Sequence, residues 1–195
     1  NCAAGAATPG VAAAYERALA ALPSYLGSAG YLPSGLPHLQ AMIAASYARR
    51  GLPTAAEQII VTSGALSALA IVARALSRPG DRVMLESPVY SNAIEALRQG
   101  GGELITSPLA DPLGEDGWDM DGIEATLRQT SPHLAYLIPD FQNPTGFLMG
   151  DATRIRYATA LRQTRTTAIV DETLQPTALF DAPMPAPFAA HAADA

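Results

Sequence analysis

Short apolar runs recur along this chain with room for a helix between neighbours, and that spacing limits its fold more than any other feature. QIIVT (58–62), RVMLE (82–86), ELIT (103–106), LAYLI (134–138) and TAIVD (167–171) have strand character. Around them, LPHLQAMIAASYARR (36–50), GALSALAIVARALSR (64–78), SNAIEALRQ (91–99), MDGIEATLRQ (120–129) and DATRIRYATALRQ (151–163) have helical composition. Such alternation predicts an α/β protein: a three-layer α/β/α sandwich whose mostly parallel sheet is covered by helices on both faces. Its ligand is then expected beyond the carboxyl ends of the strands. Turn signals fall where this reading needs them, at RPGD (78–81), QGGG (99–102), ADPLGEDG (110–117) and NPTG (143–146).

With 195 residues and 49% hydrophobic content, the chain is long and apolar enough to bury a real core as one domain or a large part of one. We expect an N-terminal segment over 1–35, a partial large domain over 36–181, and a Pro/Ala-rich loop over 182–195 leading toward a part not included. The net charge of −6 and scattered arginines argue against a nucleic-acid surface in this segment. Cys2 is the single cysteine, so no disulfide framework or thiol metal pair is available, which fits a cytoplasmic compartment. No metal site is expected. ALSALAIVARAL is broken by Arg74 and falls short of a bilayer span, so a soluble protein is expected. The N-terminus lacks the basic region of a signal peptide and begins with Asn, which suggests an excerpted or processed chain. Arginines at 17, 49, 50, 74, 78, 82, 98, 128, 154, 156, 162 and 165 account for the whole Lys+Arg total of 12. There is no lysine.

Four stretches have the residue types of a binding site. In VTSGALSAL, Ser63, Gly64 and Ala65 open a helix at the end of an apolar run, where free N–H groups and a permissive glycine suit an anion. Simple capping by Thr62 or Ser63 explains the same residues equally well. The stretch lacks the further glycines of a dinucleotide fingerprint and the lysine of a P-loop. In AIVDET, Asp171 and Glu172 can bind a metal, cap a helix, be solvated, or hold the protonated nitrogen of a heteroaromatic ring. In ESPVY, Tyr90 is either core or a stacking surface. In PDFQNPTG, Asn143, Pro144 and Gly146 are also ordinary turn formers, with Asn able to bond its own backbone, so a plain turn explains them too; Pro144 rules out glycosylation there.

Taken in order and approximate spacing, YLPSGLPHL, IIVTSGALSAL, PGDRVMLESPVY, PDFQNPTG and AIVDET resemble the large domain of class I/II aminotransferases, pyridoxal-phosphate enzymes of fold type I. The resemblance runs from about Tyr15 to Asp181. ESPVYSNAIEALRQGG, GWDMDGIEATLRQ and AYLIPDFQNPTG are more similar still to the aminotransferase-like domain of MocR-type regulators, a branch of the GntR family in which this domain follows a winged helix. The resemblance implies that Asn143 donates to the phenolic oxygen of pyridoxal 5'-phosphate and that Asp171 pairs with its ring nitrogen. It also implies that Tyr90 stacks on the ring and that Ser63, Gly64 and Ala65 cradle the phosphate. Tyr31 matches a tyrosine that reaches the phosphate held by the neighbouring subunit, which implies a homodimer.

Two departures temper the carry-over. Thr173 and Leu174 stand where the family commonly places a second donor to the phenolic oxygen. The Schiff-base lysine and the arginine that grips the substrate carboxylate lie beyond residue 195 in this family, so this chain has no catalytic residue of its own and should be inactive alone. Three roles follow as expectations. The first is an effector-sensing domain of a transcription regulator, binding a small amino or oxo acid and meeting DNA only through a separate domain. The second is part of a free-standing aminotransferase, and the third a non-functional remnant.

Overall fold

The computed structural model describes residues 7–109, 117–179 and 183–192. Among them, β1 (Arg82–Ser87), β2 (Glu103–Pro108), β3 (Leu134–Leu137) and β4 (Thr167–Val170) form one parallel sheet in the order β2-β1-β3-β4. The helices are α1 (Gly10–Ala21), α2 (Pro23–Leu26), α3 (Pro37–Arg49), α4 (Ala65–Leu76), α5 (Ser91–Gln99), α6 (Met120–Thr130), α7 (Asp151–Thr164) and α8 (Phe188–His191).

Side chains alternate across a strand, and here each face of the sheet finds its own layer. Val83, Leu85, Leu134, Tyr136 and Ile138 pack against Leu69 and Ala73 of α4 and Ala93, Ala96 and Leu97 of α5. Met84, Ala135 and Leu137 face the other way, onto Ile123 and Leu127 of α6 and Tyr157 and Leu161 of α7. The expected sandwich is therefore present. Central strands buried on both faces also explain why VML (83–85) and LAYLI read as unbroken apolar runs. Asp119 caps α6 by accepting the Gly122 N–H at 3.0 Å, while α6 and α7 both end on left-handed residues, Ser131 and Arg165.

The run QIIVT departs from expectation, because residues 59–62 join no sheet. Instead the Val61 N–H donates to Ser34 O at 2.9 Å, Gln40 Nε2 donates to Ile59 O at 2.6 Å, and Ile60 is 71% exposed. An apolar, β-branched stretch becomes a strand only where a neighbour supplies the ladder. Among the described residues β4 pairs with β3 alone, so its outer edge is open. Within 1–35, α1 and α2 form helices with no buried residue. Within the expected loop over 182–195, α8 is one helical turn whose buried Phe188 meets Tyr157 edge-on, ring centroids 6.0 Å apart. Residues 110–116 of ADPLGEDG, Cys2 and the boundary at Asp181 lie outside the described residues.

Candidate functional site

Each of β1, β3 and β4 delivers its chain to the same rim of the sheet. Beyond β4, the Asp171 N–H donates to Leu137 O at 2.9 Å, adding one more rung. Tyr136 is the register partner of Ile169, two residues before Asp171, so Tyr136 and Asp171 point to the same face. The Tyr136 hydroxyl donates to Asp171 Oδ2 at 2.7 Å, and the Thr173 N–H donates to Oδ1 at 2.9 Å. Burial first, and then the Asp171 charge, push the Tyr136 phenol well above its ordinary pKa, so it stays a neutral donor.

Tyr90 precedes the first residue of α5, half-buried against the α4–α5 layer, and its hydroxyl accepts from Asn92 Nδ2 at 2.8 Å. Tyr136 belongs to the same apolar cluster against which Tyr90 packs. The turn carrying Asn143 is tied to the same loop: Gln142 Nε2 donates to Pro88 O at 2.8 Å. Asn143 is half-buried, and among the described residues its side chain has no hydrogen-bond partner. Both the Ser87–Pro88 and Asn143–Pro144 peptide bonds are cis.

α4 packs beside α5, and its C-terminus leads into the start of β1, so its N-terminus opens on the carboxyl rim. Ser63, Gly64 and Ala65 are exposed there. Neither Thr62 nor Ser63 caps the helix: the Thr62 hydroxyl donates to Gly64 O at 3.1 Å, and Gly64 itself occupies the cap position. Gly64 has φ of 104°, with open space where a Cβ would stand. The capping alternative left open by the sequence is thus absent, and the first-turn N–H groups have no side-chain cap. Tyr31, 81% exposed, is not joined to the other six positions by any hydrogen bond or ring contact among the described residues.

Sequence reasoning missed two supporting groups. Tyr136 was hidden inside an apolar strand, its only signal a polar tip among aliphatic residues. The second is an ionic cluster under the PDFQNPTG turn. Fully buried Asp140 accepts from Arg154 at 2.5 Å and from Arg50 at 3.3 Å, and Arg50 also meets Glu172 at 3.1 Å. Arg154 further donates to Met149 O at 2.8 Å and Ala186 O at 3.0 Å. Burial and the Glu172 charge push the Tyr47 phenol up to about 12. Of the Asp171–Glu172 pair, then, Glu172 is committed to Arg50, while Asp171 faces the rim beside Tyr136.

A parallel α/β sheet covered by helices on both faces is the fold of pyridoxal-phosphate-dependent aminotransferases of fold type I. The chain belongs to the aminotransferase class I and II family, whose model matches residues 11–189. It is 41% identical over 92 residues to the 2-aminoadipate transaminase of Thermus thermophilus, covering 47% of this chain and 22% of that protein. It is 31% identical over 141 residues to the "Uncharacterized HTH-type transcriptional regulator YdcR" of Escherichia coli (strain K12), covering 72% of this chain and 30% of that one. Among solved structures, it is similar to LysN, the alpha-aminoadipate aminotransferase of Thermus thermophilus complexed with N-(5'-phosphopyridoxyl)-L-leucine. There the TM-score is 0.72 and the identity 31%, over 87% of this chain and 43% of that chain. The match thus spans under a third of these two curated relatives, and MocR-type regulators are among the homologues, as the sequence led us to expect. Among the described residues no helix is long and apolar enough to cross a membrane.

Proposed function

We propose that this chain is the pyridoxal-phosphate-binding part of an aminotransferase-like domain, and that it serves as the effector-sensing module of a MocR-type transcription regulator. The observation that carries the cofactor reading is the Asp171 carboxylate, fixed by Tyr136 and Thr173 at the rim toward which Asn143 and the start of α4 also open. The donor set fits the group: an unpartnered amide at Asn143, an anchored carboxylate at Asp171, and uncapped N–H groups beside the open backbone of Gly64. Asn143 would hold the phenolic oxygen, Asp171 the ring nitrogen, Tyr90 the ring face, and Ser63, Gly64 and Ala65 the phosphate. When bound, the group supplies an electron sink for amino-acid chemistry. Tyr31 would act across a homodimer, on the phosphate of the neighbouring subunit.

The regulator role is supported by the likeness to the HTH-type regulator over 72% of this chain. DNA would be met through a separate domain, and the effector would be a small amino or oxo acid. A second reading, part of a free-standing aminotransferase in the cytoplasm, is favoured by the 41% identity to the Thermus transaminase. The cofactor reading is tested by titrating the chain with pyridoxal 5'-phosphate and following bound-ligand absorbance. Saturable binding lost in Asp171→Ala supports it, and no binding refutes it. A basic winged helix encoded upstream decides for the regulator, and a start codon close before Asn1 decides for the enzyme.

A further inference from the structure

Two loops carry residues assigned to the ring, and one buried amide joins them. Gln142, 1% exposed, donates from Nε2 to Pro88 O at 2.8 Å and to Glu86 Oε2 at 3.3 Å. Its Oε1 accepts from the Thr145 N–H at 3.0 Å and from Thr145 Oγ1 at 2.7 Å. Two acceptors on one side and two donors on the other fix which way round the amide lies. Glu86 is 2% exposed near the end of β1 and has no ion pair among the described residues. Its Oε1 accepts from Trp118 Nε1 at 2.8 Å, and its Oε2 accepts from the Ile138 N–H at 3.4 Å as well as from Gln142. Every group bonded to this carboxyl is a donor, an arrangement suited to the ionised form.

Resting on the pyridoxal-phosphate reading, we propose that Glu86 and Gln142 are positioning residues for that site. Ionised Glu86 holds the Gln142 amide in the orientation that ties Pro88, ahead of Tyr90, to Thr145, beside Asn143; a proton gained at Glu86 releases this clamp and weakens binding of the phosphorylated ring. The chemistry is forced by hydrogen-bond parity. Protonated on Oε2, Glu86 presents an O–H to an N–H. Turning the amide over supplies an acceptor there, but it then points an NH₂ at the Thr145 N–H and takes the donor away from Pro88 O.

The other groups around the carboxyl do not change charge with it. Tyr136 of β3 points to the opposite face of the sheet and Tyr157 comes from α7; burial raises both phenols, so they remain neutral. From β2 the register partner is Ser107, whose buried hydroxyl has no partner among the described residues. Asp171 stands beyond Tyr136, and Asp140, in the Gln142 loop, is paired with Arg154 and Arg50. Burial pushes Glu86 itself up to about 7, with its three hydrogen bonds pulling the other way.

Trp118 is the chain's single tryptophan, so its emission reports on Glu86 with no ligand present. The test measures, across neutrality, the Trp118 emission of the ligand-free chain and the affinity for pyridoxal 5'-phosphate. It uses wild type, Glu86→Gln and Thr145→Val. We expect the wild-type emission to titrate with a midpoint at about 7, and affinity to rise with the same midpoint by roughly tenfold, as for the loss of one net hydrogen bond. Glu86→Gln loses the emission titration and binds at alkaline pH as weakly as acid wild type. Thr145→Val keeps the titration but binds more weakly throughout. Emission that does not titrate in wild type, titration that Glu86→Gln retains, or wild-type affinity that ignores the emission midpoint overturns the clamp. Should Glu86→Gln fail to fold, the coincidence of the two wild-type midpoints and the Thr145→Val result decide. Absence of binding at every pH refutes the cofactor reading, and the clamp with it; binding without the emission titration refutes the clamp alone.

Discussion

The hydroxyl of Tyr136 donates to Asp171 Oδ2 at 2.7 Å, joining the middle of β3 to the residue that follows β4. The bond orients a carboxylate that would otherwise swing freely at the rim, and it spans two strands whose register already sets its length. Tyr136→Phe keeps the buried ring and removes the donor. We expect pyridoxal-phosphate affinity to fall by roughly tenfold, in keeping with about 1.5 kcal/mol for a hydrogen bond to a charged group, as measured by equilibrium dialysis.

Asn143 has no protein hydrogen-bond partner among the described residues, so truncating it removes nothing that holds the fold. Asn143→Ala should leave thermal stability within about 0.5 kcal/mol of wild type while weakening cofactor binding severalfold. Differential scanning fluorimetry beside the binding titration checks the contrast.

A chain without lysine offers no side-chain amine for covalent attachment. After incubation with pyridoxal 5'-phosphate and borohydride, peptide mapping should find no modified side chain; a stable adduct inside the sequence would contradict this.

Asp140 is buried between Arg154 and Arg50. Removing one partner of a buried pair strands the other charge away from water, so Asp140→Ala should destabilise the chain by about 3–5 kcal/mol in urea unfolding. Exposed Arg128, paired with Glu124 one turn away on α6, should be nearly silent when changed to Ala.

Glu86 carries a pH signature in stability as well. Its pKa rises from 4.5 to about 7 on folding, so between those values the folded state holds a proton that the unfolded state has released. The contribution is full below pH 4.5 and is lost as pH climbs through about 7. Wild type minus Glu86→Gln should therefore show stability falling across that window, by on the order of 3 kcal/mol, in denaturant titrations at a series of pH values.

The sequence revealed what local pattern can encode. Apolar runs bracketed by turn residues located all four strands among the described residues, and five helices fall within two residues of their expected ends. QIIVT misled because β propensity reports what a segment could pair with, and its neighbour is decided elsewhere in space. Tyr90, Asn143 and Asp171 were legible in the sequence because each follows a strand at or near a turn, and turn chemistry is written in Pro, Gly, Asn and Asp. What underlies them was not. Tyr136, Glu86, Gln142 and the Arg50–Asp140–Arg154 cluster are separated by tens of residues, and their pairings exist only once the strands are laid side by side.

β3 and β4 align Leu134 to Thr167 through Leu137 to Val170, four register pairs. That short ladder works as a vernier. A slip of one residue would turn Asp171 to the opposite face of the sheet, away from Tyr136, with every backbone bond still satisfiable. The precision of the rim is therefore borrowed from apolar side chains on either side of these strands, and a lesion in the α4–α5 or α6–α7 layer that touches no polar group can blind the site as thoroughly as removing the carboxylate.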